Sequence, residues 1–273
     1  MGAITSKTAL AKSLGVSRSS LYYRPRRPAK DEVVREKILK TLDAHPAYGH
    51  RRIAWHLQIN KKAVLRVMNL YHIKPTIIRK NRYLRAKATE LIVTTTPDHL
   101  KTICPIMPNA VWVGDFTELW FHNRILFLAT VLDAYTREVI GWQIGLHHTA
   151  SLVIDVLKEA KRKRHATAQF FHSDQGSEYT SHACVNWLVK NSITPSNSPK
   201  GKPWRNGKQE SFYGRFKLEF GTPGRFETLE QLIEAIGKYV HYYNTERIHS
   251  ALRTPPRTFF ETKKQPLTKR QGV

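Results

Sequence analysis

Three apolar, β-branched and aromatic runs follow one another with only short turns between them, and this pattern limits the fold more than any other. Val111, Trp112, Val113, Phe116, Leu119, Trp120 and Phe121 form the first run, Ile125 to Leu132 the second and Val139 to Leu146 the third. His122-Asn123-Arg124 and Asp133 to Arg137 separate them, short enough for antiparallel hairpins. The period then switches: Leu152, Val153, Val156, Leu157 and Ala160 recur at helical spacing over Ser151 to Arg164. Gln169 to His172 reads as a fourth strand, Ser181 to Lys190 as a helix and Ile193 to Ser196 as a fifth strand. Pro203 to Phe220 reads as a loop running into a helix. The order βββαβαβα predicts an α/β domain, a mixed sheet with helices on its faces.

What precedes this domain is helical and basic. Ala9, Leu10 and Leu14 predict one helix, Gly15 a turn, and Ser17 the cap of a second helix carrying Arg18 to Leu21; this is helix-turn-helix grammar. Pro25 and Pro28 close that unit within a basic linker. Val33, Val34, Ile38, Leu39 and Leu42 mark the next helix, and two more are expected near 51–58 and 61–71, with Asn60 in the turn and Lys61, Lys62 and Arg66 on the following helix. Arg79 to Lys87 forms a further basic connector, and Pro97, Pro105 and Pro108 mark a boundary near residue 105. The expected division is a helix-turn-helix over 1–28, a second helical DNA-binding region with basic linker over 29–104, a catalytic core over 105–262 and a basic tail over 263–273.

Charge identifies the kind of partner. The 273 residues carry a formal +24, and residues 1–100 hold 21 Lys and Arg against 6 Asp and Glu, a net +15. Cations in such excess repel one another unless a polyanion neutralises them, so double-stranded nucleic acid is the expected partner. No apolar run of about 18 residues and no lipidation motif supports a membrane reading. Cys104 and Cys184 are too few for a disulfide scaffold, which suits a reducing cytosol, and residues 1–20 have no signal-peptide core.

Against this basic background, three carboxylates stand out. Asp115 interrupts an apolar strand, where a charge is costly unless paired or bound to metal. Asp174 follows the fourth strand directly, at a strand terminus where open α/β sheets build their sites. Glu210 sits on a helix, with 35 residues between it and Asp174. A cluster of oxygen ligands without His or Cys suits Mg²⁺, with Mn²⁺ as substitute. Asp133 reads as a structural turn residue. Glu118, an odd step from Asp115, falls on the opposite face of the sheet. His147, His148 and His172 lack the spaced partners of a transition-metal site. At and beyond the end of the helix at 229–244, Tyr242, Tyr243 and Arg247 fit either a lid on the core or a DNA contact.

The segments VWVGDFTEL, VLDAYTREVIGW, FHSDQGSEYTS, NGKQESFYGRFKLE and YYNTERIHSALRTPPRTF, in this order, resemble the motifs of insertion-sequence transposases with a retroviral-integrase core, of the downstream-reading-frame type. The resemblance covers roughly residues 45–262. It implies a ribonuclease-H-like core in which Asp115, Asp174 and Glu210 bind two Mg²⁺ and catalyse DNA cleavage and strand transfer at insertion-sequence ends. It also implies a basic residue near the site at Lys217, and a homo-oligomer acting on terminal inverted repeats and target DNA in the bacterial cytoplasm, at the nucleoid. Arg18, Lys61, Lys62, Arg66 and Arg247 are the further expected DNA contacts. The chain departs from the family pattern at Glu178, commonly Gln, and at Arg205-Asn206-Gly207, commonly Asp-Asn-Ala. Gly207 loosens a helix start by roughly 1 kcal/mol relative to Ala. The competing functions are a DNA-binding repressor or inactive transposase relic, and a ribonuclease H, which does not need so large a basic arm.

Overall fold

The computed structural model describes residues 6–22, 27–77, 105–198 and 207–264. The basic connector at 79–87, Cys104, Arg205-Asn206 and the tail lie outside these residues. The chain divides into two units, Met1–Thr76 and Ile77–Val273. No described helix is long and apolar enough to cross a membrane.

In the first unit, Ser6 caps helix α1 (Lys7–Ser13) by accepting from the Ala9 N–H. The second helix expected here is instead a 3₁₀ turn, Arg18–Tyr22, with no buried residue. Its five residues bury no apolar stripe that would extend it into an α-helix. Helix α2 (Arg27–Ala44) starts before the expected boundary at 28/29, which therefore falls inside it. Pro28 occupies the first turn, where its missing N–H removes no intrahelical bond. The buried face of α2 also differs from expectation: Ile38 and Leu42 are buried, whereas Val33 and Leu39 are exposed. Asp31, in line with Ile38 and Leu42, turns inward to meet Arg66. Helices α3 (His50–Leu57) and α4 (Lys61–Leu70) form as expected, and Asn60 caps α4 by accepting from the Lys62 N–H at 2.8 Å.

The second unit is a five-stranded sheet with the order β3-β2-β1-β4-β5. Strands β1 (Val111–Phe121), β2 (Arg124–Asp133) and β3 (Val139–Gly145) are antiparallel neighbours; β4 (Phe170–Ser173) runs parallel to β1, and β5 (Thr194–Asn197) parallel to β4. Two crossovers make the parallel half, through helix α5 (Ala150–Arg164), and through the single turn α6 (Ser177–Thr180) and α7 (His182–Lys190). Helices α8 (Gly207–Phe220), α9 (Leu229–Thr245) and α10 (Pro256–Lys264) follow. Helix α10 was not foreseen and crosses the expected boundary at 262/263.

Strand alternation sorts the core into two layers. Val111, Val113, Leu119 and Phe121 of β1 face α8 and α9, packing with Phe212, Phe216, Phe220, Leu232 and Ile236. Trp112, Ala129, Val131, Ile140 and Phe171 face α5 and α7, packing with Val153, Val156, Leu157, Cys184 and Leu188. Each sheet face is thus covered by helices, as the nearly continuous apolar run of β2 requires.

Candidate functional site

Asp115 lies on the α8 side of β1, opposite Thr130 of β2 in the antiparallel register. Gly114 makes room for its surroundings: a Cβ there would stand 2.4 Å from Cζ of Phe171, so the aromatic ring fills the space on the other face. The Asp115 carboxylate accepts the Phe116 N–H at 2.8 Å. On the neighbouring parallel strand, Trp112 pairs with Phe171 and Val113 with His172. Continuing that register by two residues sets Asp174, just past the C-terminal end of β4, beside Asp115 within the longer β1. Asp174 is held by a turn and by β5. Its carboxylate accepts the Gly176 N–H at 3.0 Å, and its carbonyl accepts from the Asn197 amide at 2.6 Å.

Glu210 occupies the first turn of α8 and is exposed. An acid at that end is favoured by the helix dipole. Its neighbours in sequence turn the other way, Gln209 and Tyr213 pointing into the sheet beneath Asp115. Burial, followed by the charges of Asp174, Glu210 and Glu178, pushes the Asp115 carboxyl up to about 7, against the lowering effect of the Phe116 N–H. Asp174 is raised too, by burial and by Glu178, while the Gly176 N–H opposes the shift. Glu178 is therefore a fourth carboxylate at this place, and the His148 ring Nδ1 lies 3.6 Å from it. Among the described residues, no three His, Cys, Asp or Glu side chains are gathered closely enough to hold an ion together. The carboxylates act on one another through space.

The other expected site residues separate into two groups. Lys217 is exposed on the same solvent-facing stripe of α8 as Glu210 and Gly214, and Arg18, Lys61 and Lys62 are exposed as well. Arg66 is committed to Asp31, with Nη2 2.6 Å from Oδ1, and ties α4 to α2. Arg247 corrects the expectation of a DNA contact: its side chain is 4% exposed and its guanidinium is engaged by both oxygens of Glu219. A buried guanidinium already paired with a carboxylate has no donor face to offer a phosphate. Asp133 is structural as read, accepting the N–H groups of Asn109, Tyr135 and Thr136 while fully buried. Glu118 lies exposed on the face away from Asp115. His172 is buried, its Nδ1 2.9 Å from the Ser196 hydroxyl.

Sequence reasoning missed Gln209, Tyr213 and Thr130. The signal was present in the spacing, because a Gln and a Tyr four residues apart on a helix share a face. That face also carries Phe212, Phe216 and Phe220, so the two polar side chains are carried into the core with them.

Comparison with known proteins gives this geometry a family. Residues 105–203 match an integrase core domain model, and residues 191–256 match a second model of the same description. The transposase for insertion sequence element IS904 of Lactococcus lactis subsp. lactis (strain IL1403) is 34% identical over 241 residues, 83% of this chain and 94% of the relative. The putative transposase InsK for insertion sequence element IS150 of Escherichia coli (strain K12) is 30% identical over 256 residues, 89% of each chain. In fold alone, the chain is similar to a chain of the simian T-cell lymphotropic virus intasome in complex with the PP2A regulatory subunit B56 gamma, with a TM-score of 0.51 and 16% identity over 85% of this chain and 78% of that one. Since the sequence likeness runs nearly the full length of named transposases, the chain belongs to the insertion-sequence transposases with a retroviral-integrase-type core.

Proposed function

We propose that this transposase cleaves and joins DNA through a divalent-metal centre carried by Asp115, Asp174 and Glu210. The observation that supports this reading most is the state of Asp115. A carboxyl raised to about 7 by burial and by three further carboxylates is disfavoured as an anion unless a cation arrives, and the rest of the chain is strongly basic. The donors are all oxygen, which fits Mg²⁺ or Mn²⁺ and not a thiolate-seeking ion. Bound there, the metal would supply Lewis-acid stabilisation of the attacking and leaving oxygens in phosphoryl transfer.

The chain's own residues then divide the work. Asp115 would hold the metal from within β1 and Asp174 from the end of β4, and Glu210 would complete the set from the helix. Lys217, two turns from Glu210 on the exposed stripe, contacts the DNA backbone beside the site. Lys61 and Lys62 sit at the N-terminus of α4, where cations oppose the helix dipole. Their placement is explained by a phosphate bound at that end, and with Arg18 they contact element-end DNA. Water first and a DNA 3′-hydroxyl second act as nucleophiles, and copies of the chain assemble on the two element ends at the nucleoid.

An assay with end-containing DNA and Mg²⁺ tests this reading. Wild type is expected to cleave and join, while Asp115→Asn, Asp174→Asn and Glu210→Gln lose both steps and keep DNA binding. Binding without turnover by the wild type would overturn it in favour of a repressor.

A further inference from the structure

The attachment of α8 to the sheet is polar where it passes Asp115. Gln209 is fully buried, and its Nε2 donates to the carbonyls of Val113 at 2.7 Å and Thr130 at 3.1 Å. The Thr130 hydroxyl lies 2.8 Å from Tyr213 Oη and 3.2 Å from Gln209 Oε1, and donates its single proton to one of them at a time. Tyr213 Oη in turn donates to the carbonyl of Asp115 itself at 2.6 Å, with the Leu128 carbonyl at 3.2 Å. Thr130 is the cross-strand partner of Asp115, so all these bonds converge on one point of the sheet.

We propose that Gln209 and Tyr213 are positioning residues that fix the register of α8 so that Glu210 meets Asp115; this rests on the reading of Asp115, Asp174 and Glu210 as a metal-dependent centre. Three considerations support it. Phe212, Phe216 and Phe220 already bury α8 against the core, but apolar contact is non-directional and tolerates a rotation or slide of the helix. Hydrogen bonds to fixed strand carbonyls do not tolerate it. The two polar side chains also bracket Glu210, one immediately before it and one three residues after, so a turn of α8 cannot shift Glu210 without breaking a bond to β1 or β2. Finally, α8 opens on Gly207, a weak helix former, so its first turn gains order from the Gln209 amide.

The experiment uses the full chain with Gln209→Leu, which keeps volume and removes the amide, and Tyr213→Phe, which removes one oxygen. Two readouts are taken across a Mn²⁺ and Mg²⁺ titration: the metal-induced rise in melting temperature without DNA, and the rate of cleavage of end-containing DNA. The expected result is a folded protein with unchanged end-DNA affinity whose half-saturating metal concentration rises about tenfold or more in both readouts. Half-saturation at the wild-type concentration, with activity falling only as the folded fraction falls, overturns the positioning role. If Gln209→Leu does not fold, Tyr213→Phe decides the matter alone. A wild-type protein that responds to metal in neither readout overturns the metal reading itself, and this proposal with it.

Discussion

Arg247 and Glu219 form a buried two-point ion pair in which Nε and Nη2 each lie 2.6 Å from a different carboxylate oxygen. The pair ties the residues just beyond α9 to the last turn of α8, and Tyr239 adds a third donor to Glu219 at 3.1 Å. Burial works against the Arg247 charge, but Glu219 outweighs it and holds the guanidinium protonated. Arg247→Ala removes the cation that neutralises the buried Glu219 carboxylate, a change expected to destabilise the core by about 3–5 kcal/mol. Chemical denaturation measures this, and Arg247→Met with Glu219→Leu should recover much of the loss. Because a buried guanidinium releases no counterions, the salt dependence of DNA binding by the folded variant should match that of wild type; a shallower slope would return Arg247 to the DNA surface.

Gly114 and Phe171 share one space. With a Cβ only 2.4 Å from Cζ of the ring, Gly114→Ala must push Phe171 out of a full core, at about 1–3 kcal/mol. Since Asp115 is the next residue, DNA cleavage should fall by more than the loss of folded protein accounts for. Adding Phe171→Leu should restore stability, read as melting temperature, before it restores activity.

The metal-free protein should depend on pH through Asp115. Its folded value of about 7 lies above the ordinary 3.8, so folding favours the protonated form. The stabilisation is complete below pH 3.8 and is lost as pH rises through 7. Asp115→Asn does not titrate, so its melting temperature should exceed that of wild type by an amount that grows between these limits and then levels, equivalent to about 2–4 kcal/mol at pH 8. Melting curves in chelator across that range check it, and Mg²⁺ should narrow the gap at pH 8. A constant difference at every pH would contradict the shift.

Lys61, Lys62 and Arg66 share one helix but not one role. Lys61→Ala and Lys62→Ala should each lower the slope of log affinity against log salt by about 1 for end DNA. Arg66→Ala removes the partner of the buried Asp31 and should instead lower the stability of the first unit. Hydrogen exchange in α2 and α4 separates the two outcomes.

The three hairpin strands were legible in the sequence because each run is rich in apolar, β-branched and aromatic residues and ends at turn residues, both local properties. The turn at Asn60 was legible for the same reason, since its side chain bonds an N–H only two residues away. Asp115 and Asp174 could be singled out because charge in an apolar strand, or just beyond one, is conspicuous without any knowledge of neighbours, and Glu210 by its 35-residue separation from Asp174 in a motif that resembles the family's. The face that α2 buries was not legible, because Val33 and Leu39 are as apolar as Ile38, and the choice fell to Arg66, 35 positions from Asp31. Arg247 failed for a related reason: an arginine near aromatics reads the same whether it faces a phosphate or a carboxylate 28 positions earlier.

The carboxylates Asp115, Asp174 and Glu210 were thus determined as candidates by the sequence alone. Their setting was decided by the tertiary structure, in which β1 and β4 pair in parallel and Gln209 and Tyr213 bond strand carbonyls 79 to 98 positions away. Local patterning records which side chains a strand or helix presents, because it depends on backbone period. Which charges end up sharing one small volume depends on contacts between distant segments, and only the folded chain supplies those.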